Sequence, residues 1–93
     1  MKVYISGPIT GAENYEKEFQ AAEVKLRTQG HIPYNPARIN LPEEATHEDY
    51  MKVDFAMLEL CEAIYMLQGW QASKGANREY GYALGKGLKV IRE

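Results

Sequence analysis

Two carboxylates and one glycine-rich turn are the residues of this 93-residue chain whose surroundings could support chemistry. Glu79 closes the stretch Ser73-Lys74-Gly75-Ala76-Asn77-Arg78-Glu79, which reads as the opening of a helix. Its neighbours at three and four residues are Gly75, Ala76, Tyr82 and Ala83, three of them small, so a ligand has room to reach the carboxylate. The plain alternative is a surface Glu paired with Lys86 or Arg78. Asp54 has Tyr50, Met51, Met57 and Leu58 at the same helical distances. A charge in that apolar setting is costly unless it is paired or hydrogen-bonded; the bland reading puts it on the rim of the stripe, helped by the positive helix N-terminus. The turn Ser6-Gly7-Pro8-Ile9-Thr10-Gly11 offers two glycines for close backbone approach and two hydroxyls beside free N–H groups. Such a turn can cradle a small phosphorylated ligand, or its glycines can serve only the sterics of a strand-to-helix connection.

Two further positions belong with these. Ser73 is placed to cap the helix that carries Glu79. Trp70 precedes it in a loop, where it can stack on a base or ring or pack as a hydrophobic lid. The histidines form no metal set: His31 opens a strand, His47 lies in a helix first turn, and Cys61 falls near a helix end. Without close spacing among them, neither a metal nor another cofactor is expected.

The elements that must position these residues follow from hydrophobic periodicity. Val3-Tyr4-Ile5 reads as a short buried strand ended by Gly7-Pro8. Residues 14 to 29 carry Tyr15, Phe19, Ala22, Val24 and Leu26 at roughly helical spacing, with Gly30 as the stop. A second strand is expected over 31–36, at a sheet edge because of its two prolines, followed by a loop over 37–45. Thr46 caps a helix to about Cys61, with Asp49 reaching back. Ala63 to Leu67 is a continuous apolar strand, residues 68–73 a loop, 74–86 a third helix ended by Gly87, and Leu88 to Ile91 a fourth strand. The βαβαβαβ order predicts an α/β fold, a small doubly wound (Rossmann- or flavodoxin-like) parallel sheet with strand order 2-1-3-4 and helices on both faces. Ligands bind such sheets beyond the carboxyl ends of the strands, where the order reverses. That point brings the 6–11 turn and the 68–75 loop to one crevice.

Composition narrows the partners. Eleven basic and 13 acidic side chains give a net charge of −2, which disfavours a nucleic-acid polymer as ligand. It leaves room for a small phosphorylated molecule held by backbone N–H groups. The single Cys61 makes no internal disulfide, no apolar run approaches a membrane span, and Met1 leads straight into a strand. A soluble, cytoplasmic, single-domain protein over 1–93 is expected. Its small core favours a homodimer or higher homo-oligomer.

Taken together the pieces resemble the nucleoside 2-deoxyribosyltransferase superfamily, including its nucleoside-monophosphate N-glycosidase branch, and within it the compact phage and bacterial group DUF4406. The resemblance rests on Val3 to Gly11, on Asp54, and on Ser73, Gly75 and Glu79 leading into Gly81-Tyr82-Ala83-Leu84. It implies that Glu79 is a nucleophile attacking the anomeric carbon, as in retaining glycosidases. Asp54 would position the sugar or supply a proton, and Tyr4 would orient the nucleophile. Ser6, Gly7, Pro8, Ile9, Thr10, Gly11, Trp70, Ser73 and Gly75 would line the substrate site, with Ser73 matching the 5′-phosphate ligand of the monophosphate branch. Pro8 and Thr10 stand where those hydrolases have Ser and Arg. The implied function is cleavage or transfer of the N-glycosidic bond of a (deoxy)nucleoside 5′-monophosphate-like substrate, in a bacterial or phage-infected cytoplasm. The alternative is a nucleotide-metabolite binding protein without turnover.

Overall fold

The computed structural model describes all 93 residues. Four strands, β1 (Lys2–Ser6), β2 (Ile32–Tyr34), β3 (Ala63–Met66) and β4 (Lys89–Arg92), form one parallel sheet in the order β2-β1-β3-β4. Three helices connect them: α1 (Tyr15–Thr28), α2 (His47–Glu59) and α3 (Lys74–Lys86). The α/β class and the strand order are those the periodicity predicts. None of the helices is long and apolar enough to cross a membrane.

The pleat sorts the side chains. Successive residues of a strand face opposite sides, so Val3 and Ile5 join Ala63 and Tyr65 beneath α1, whose Phe19, Ala22 and Leu26 complete that layer. Tyr4, Ile64 and Met66 face the other way, against Leu58 and Cys61 from the α2 side and Ala83 from α3. Ser6, two residues beyond Tyr4, shares its side of the sheet. The helices therefore cover both faces, and the order reverses between β1 and β3.

Local chemistry fixes the helix ends. Thr46 and Asp49 form a reciprocal capping box, Asp49 N–H donating to Thr46 Oγ1 at 3.1 Å and Thr46 N–H to Asp49 Oδ2 at 2.9 Å. Ser73 Oγ accepts from Ala76 N–H at 3.1 Å and caps α3, which ends at the left-handed Gly87. Asn77 Nδ2 ties α3 back to the preceding loop by donating to the carbonyls of Gln71 and Ser73.

Two expectations need correction. The second strand is only three residues long; Asn35 accepts from Ala37 N–H and turns the chain into a 3-10 helix, Pro36–Arg38, within the stretch predicted to be loop. The 68–73 loop likewise contains a 3-10 turn, Trp70–Ala72.

Gly7 is where the first turn meets the core. A Cβ there would stand 2.8 Å from Leu67 Cβ and 2.9 Å from Leu67 Cδ1. The glycine therefore lets the end of β1 pass against Leu67. Gly7→Ala should cost about 1–3 kcal/mol in urea denaturation. The Gly7→Ala/Leu67→Ala double variant should lose less than the sum of the two single losses, because both act on one contact.

Candidate active site

Glu79 and Asp54 meet because each occupies the buried stripe of its helix. Met51, Asp54 and Leu58 are the buried residues of α2; Ala76, Glu79 and Ala83 are those of α3. The two alanines bracket Glu79 and keep the α3 backbone close to the sheet, so its carboxyl reaches β1. Tyr4 Oη donates to Glu79 Oε2 at 2.8 Å and Ser6 Oγ donates to Oε1 at 2.7 Å. Both donors are fully buried, while Glu79 is 5% exposed and Asp54 8%. No buried side-chain polar atom is left without a partner.

The alternative of a surface Glu79 is excluded by these contacts. Lys86 pairs with Glu59 and Arg78 with Glu48.

Burial governs the electrostatics. It pushes Glu79 up to about 8, reinforced by the Asp54 charge and opposed by the Ser6 and Tyr4 hydrogen bonds. Burial also raises Asp54 to about 6, against the Glu79 hydrogen bond and the His47 charge. Each carboxyl influences the protonation of the other, so the two titrate as a pair. Tyr4 is raised well above its ordinary value by burial and then by the Glu79 charge, so it remains a donor. Cys61 is pushed up to about 12 by burial, which leaves an unreactive thiol.

The pair opens into a cleft of about 1330 Å³ at the carboxyl end of the sheet. Gly7, Ile9 and Thr10 form one wall; Ser73, Lys74 and Gly75 at the start of α3 form the facing one. The crevice expected at the strand-order reversal is thus present, but the turn divides. Ser6 points inward to Glu79 rather than into the cleft. Pro8 and Gly11 are not among the lining residues: Pro8 faces Gly69, and Gly11 supplies a left-handed backbone, φ 73°, before α1. Trp70 corrects a second expectation. It packs on Tyr80, ring centroids 4.7 Å apart, within the α2–α3 side of the core and outside the cleft.

Sequence reading missed the third wall. Asn35 to Asn40, with Tyr15, Phe19 and Gln20 from α1 and His47 and Tyr50 from α2, enclose the far side. Arg38 is held there by Glu23, Nε to Oε1 and Nη2 to Oε2, both 2.8 Å, and Asn35 Nδ2 joins Oε1 at 3.0 Å. These bonds draw Glu23 below the usual carboxylate range, the Arg38 bond contributing most. The signal was available: the segment after β2 leaves the same carboxyl edge as the 6–11 turn. No three His, Cys, Asp or Glu side chains converge to hold a metal ion.

The family model described as a domain of unknown function, DUF4406, matches residues 1–92. The chain belongs to the DUF4406 family. No functionally curated protein matches it. Among solved structures, it superposes on a 2-deoxyribosyltransferase of Bacillus psychrosaccharolyticus with a TM-score of 0.80 at 23% identity, covering 99% of this chain and 71% of that one. A conserved protein of Enterococcus faecalis V583 gives 0.79 at 19% identity, covering 99% and 62%. The CMP N-glycosidase BcmB of Clostridium botulinum gives 0.68 at 20%, covering 99% and 67%. This DUF4406 chain therefore has the fold of the nucleoside 2-deoxyribosyltransferase-like superfamily, and it spans about two thirds of these relatives' lengths.

The raised carboxyl pair makes a signed prediction for stability. Because folding raises both affinities for protons, the pair stabilises the fold most below its unfolded values near 4 and loses that contribution as pH rises through 6 to 8. Glu79→Gln removes the second charge, so its thermal melt should fall less steeply over that window. Above about pH 8 it should melt roughly 4–8 °C higher than the wild type, the shift that about 1 kcal/mol gives a domain of this size. Parallel pH profiles of the two proteins in scanning calorimetry would refute the buried-pair account.

Proposed function

We propose that the DUF4406 chain cleaves or transfers the N-glycosidic bond of a (deoxy)nucleoside 5′-monophosphate-like substrate, with Glu79 as nucleophile. The observation that carries this reading is the carboxyl pair at the cleft floor, one member fixed by two donors from β1. The two superfamily structures named for an activity, a 2-deoxyribosyltransferase and a CMP N-glycosidase, support the same bond as the target.

In this mechanism the singly protonated pair is the reactive form. At rest that proton sits on Glu79; as the sugar gains positive charge it passes to Asp54, and Glu79 attacks the anomeric carbon from one face while Asp54 gives the proton to the departing base. The C1–N bond breaks, its electron pair leaves with the base, and a C1–Oε ester forms. Water, or a second base, then attacks the same carbon; its proton returns to Asp54 and the ester bond breaks back to the carboxylate. Tyr4 orients the nucleophile through Oε2. The hydroxyl of Ser73 accepts from Ala76 N–H, so its own proton remains available to a 5′-phosphate lying at the α3 N-terminus. Gly75 keeps that entrance narrow but open, with Met51 Sδ 3.4 Å from the position a Cβ would occupy. Gly7, Ile9 and Thr10 bound the sugar-phosphate side.

A second reading has its own observation. Glu79 retains its proton near neutrality, and a neutral carboxyl is a poor nucleophile. A cleft that binds a nucleotide metabolite without turnover fits that state.

One assay separates the readings. The chain is incubated with a panel of ribo- and deoxyribonucleoside monophosphates and the corresponding nucleosides, and free base is followed by chromatography. Wild type should release base from at least one monophosphate faster than from its nucleoside. Glu79→Ala should reduce the rate by about 10³-fold or more, and Asp54→Asn by about 10²–10⁴-fold. Recovery of every nucleotide intact, with a melting temperature raised by one of them, would establish the binding protein instead.

The pH dependence is equally specific. The rate kcat/KM should be bell-shaped, its acid limb reporting the first ionisation of the pair and its alkaline limb loss of the remaining proton. A rate that rises and then stays level at high pH would remove the proton donor from the mechanism.

A further inference from the structure

The turn 6–11 enters the site as a ligand wall, yet its first residue does something else. Ser6 is fully buried and its hydroxyl is spent on Glu79 Oε1 at 2.7 Å, the shorter of the two bonds that this carboxylate accepts from β1. Ser6 and Tyr4 lie one pleat repeat apart on the same side of the strand, about 7 Å between their Cα atoms. A single carboxylate arriving from α3 spans that interval, one oxygen to each hydroxyl. The spacing is set by the strand, and the strand is held on both sides, by β2 and β3.

We infer that Ser6 is a positioning residue of the Glu79 nucleophile, a second donor that fixes the carboxylate plane and favours its charged form, rather than a ligand-binding residue of the turn. The inference rests on the glycosidase reading for its catalytic meaning. Each Glu79 oxygen keeps a lone pair beyond the one its donor uses, so the two hydroxyls orient the carboxylate without closing it to the anomeric carbon. Neither donor carries charge, so they support the ionised form without adding a cation that would compete with the developing positive charge on the sugar.

The consequence is greatest in the second half of the reaction. When water attacks C1 of the glycosyl ester, the C1–Oε bond breaks and its electron pair stays on Glu79, while the water proton passes to Asp54. Negative charge thus reappears between two donors already in place, the arrangement that stabilises a leaving carboxylate. Of those donors Ser6 lowers the Glu79 proton affinity more than Tyr4 does.

The groups that face Glu79 are few. Asp54 approaches from α2, with His47 further along the same helix; Tyr4 and Ser6 approach from β1; Arg78 is adjacent on α3 but bound to Glu48. Removing Ser6 therefore leaves Tyr4 as the one β1 donor to Glu79.

The test reads Glu79 directly, by NMR titration of 13Cδ-labelled glutamate, with the resonance assigned from its loss in Glu79→Gln. It compares wild type, Ser6→Ala and Ser6→Cys, the last filling the same space with a weak donor. Ser6→Ala should raise the proton affinity of Glu79 about tenfold or more, as expected for a lost hydrogen bond to a buried charge. Ser6→Cys should lie between, and it carries the test alone if Ser6→Ala does not fold. In the base-release assay the alkaline limb of kcat/KM should move up by the same factor, with kcat falling more than KM changes. An unmoved Glu79 titration in a folded Ser6 variant overturns the inference. Absence of base release by the wild-type chain, with the titration shift present, overturns the glycosidase reading and leaves the electrostatic role of Ser6 standing.

Discussion

The structure turns on one buried carboxylate held by two hydroxyls of a single strand. Taking Glu79 out of water is costly, and the cost is offset at close range by hydrogen bonds from Tyr4 and Ser6 and by its retained proton. Each of those partners imposes a condition on the fold. The strand must present its even-numbered face to α3. Helix α3 must come close enough for a glutamate to span the gap, which the alanines at 76 and 83 permit. Helix α2 must lie beside α3 with its own carboxylate turned inward.

The doubly wound sheet meets these conditions. Strand β1 sits between two neighbours, so its pleat is fixed and the positions of Tyr4 and Ser6 with it. Gly7 then lets the strand leave the sheet against Leu67 without displacing what precedes it. The glycine that a sequence reading assigns to ligand approach is at least as much a packing requirement of the core.

Much of this was legible before any coordinates. Apolar periodicity located α1, the Thr46–Asp49 box set the start of α2, Ser73 and Gly87 bracketed α3, and the alternation of elements pointed to the strand order. Glu79 and Asp54 could be singled out because an acidic residue in a stripe of small or apolar neighbours must find a partner. Their partners could not be read the same way. Whether Ser6 faces the cleft or the core depends on the register between β1 and α3, a long-range property that no local pattern encodes. Trp70 was misplaced for a related reason: an aromatic residue in a loop beside a crevice has two apolar surfaces to choose from, and contact with Tyr80 won. The wall from Asn35 to Asn40 was overlooked because its order comes from Glu23, on a different helix.

The protonation of the resting pair bears on how such a site could work at all. A carboxyl raised to about 8 is mostly neutral at pH 7, which on its face weakens Glu79 as a nucleophile. In a glycosidic reaction, however, the partner is a sugar carbon that gains positive charge as the base departs. A cation forming beside Glu79 lowers its proton affinity at the moment the charge is needed, while the proton it yields belongs on Asp54, next to the leaving group. Burial then serves the transition state at the expense of the resting protein. Water alone would ionise the glutamate permanently and leave Asp54 without a proton to give. The same geometry without a sugar cation leaves the proton on Glu79, so the chemistry of this cleft depends on a ligand that develops positive charge at the cleft floor.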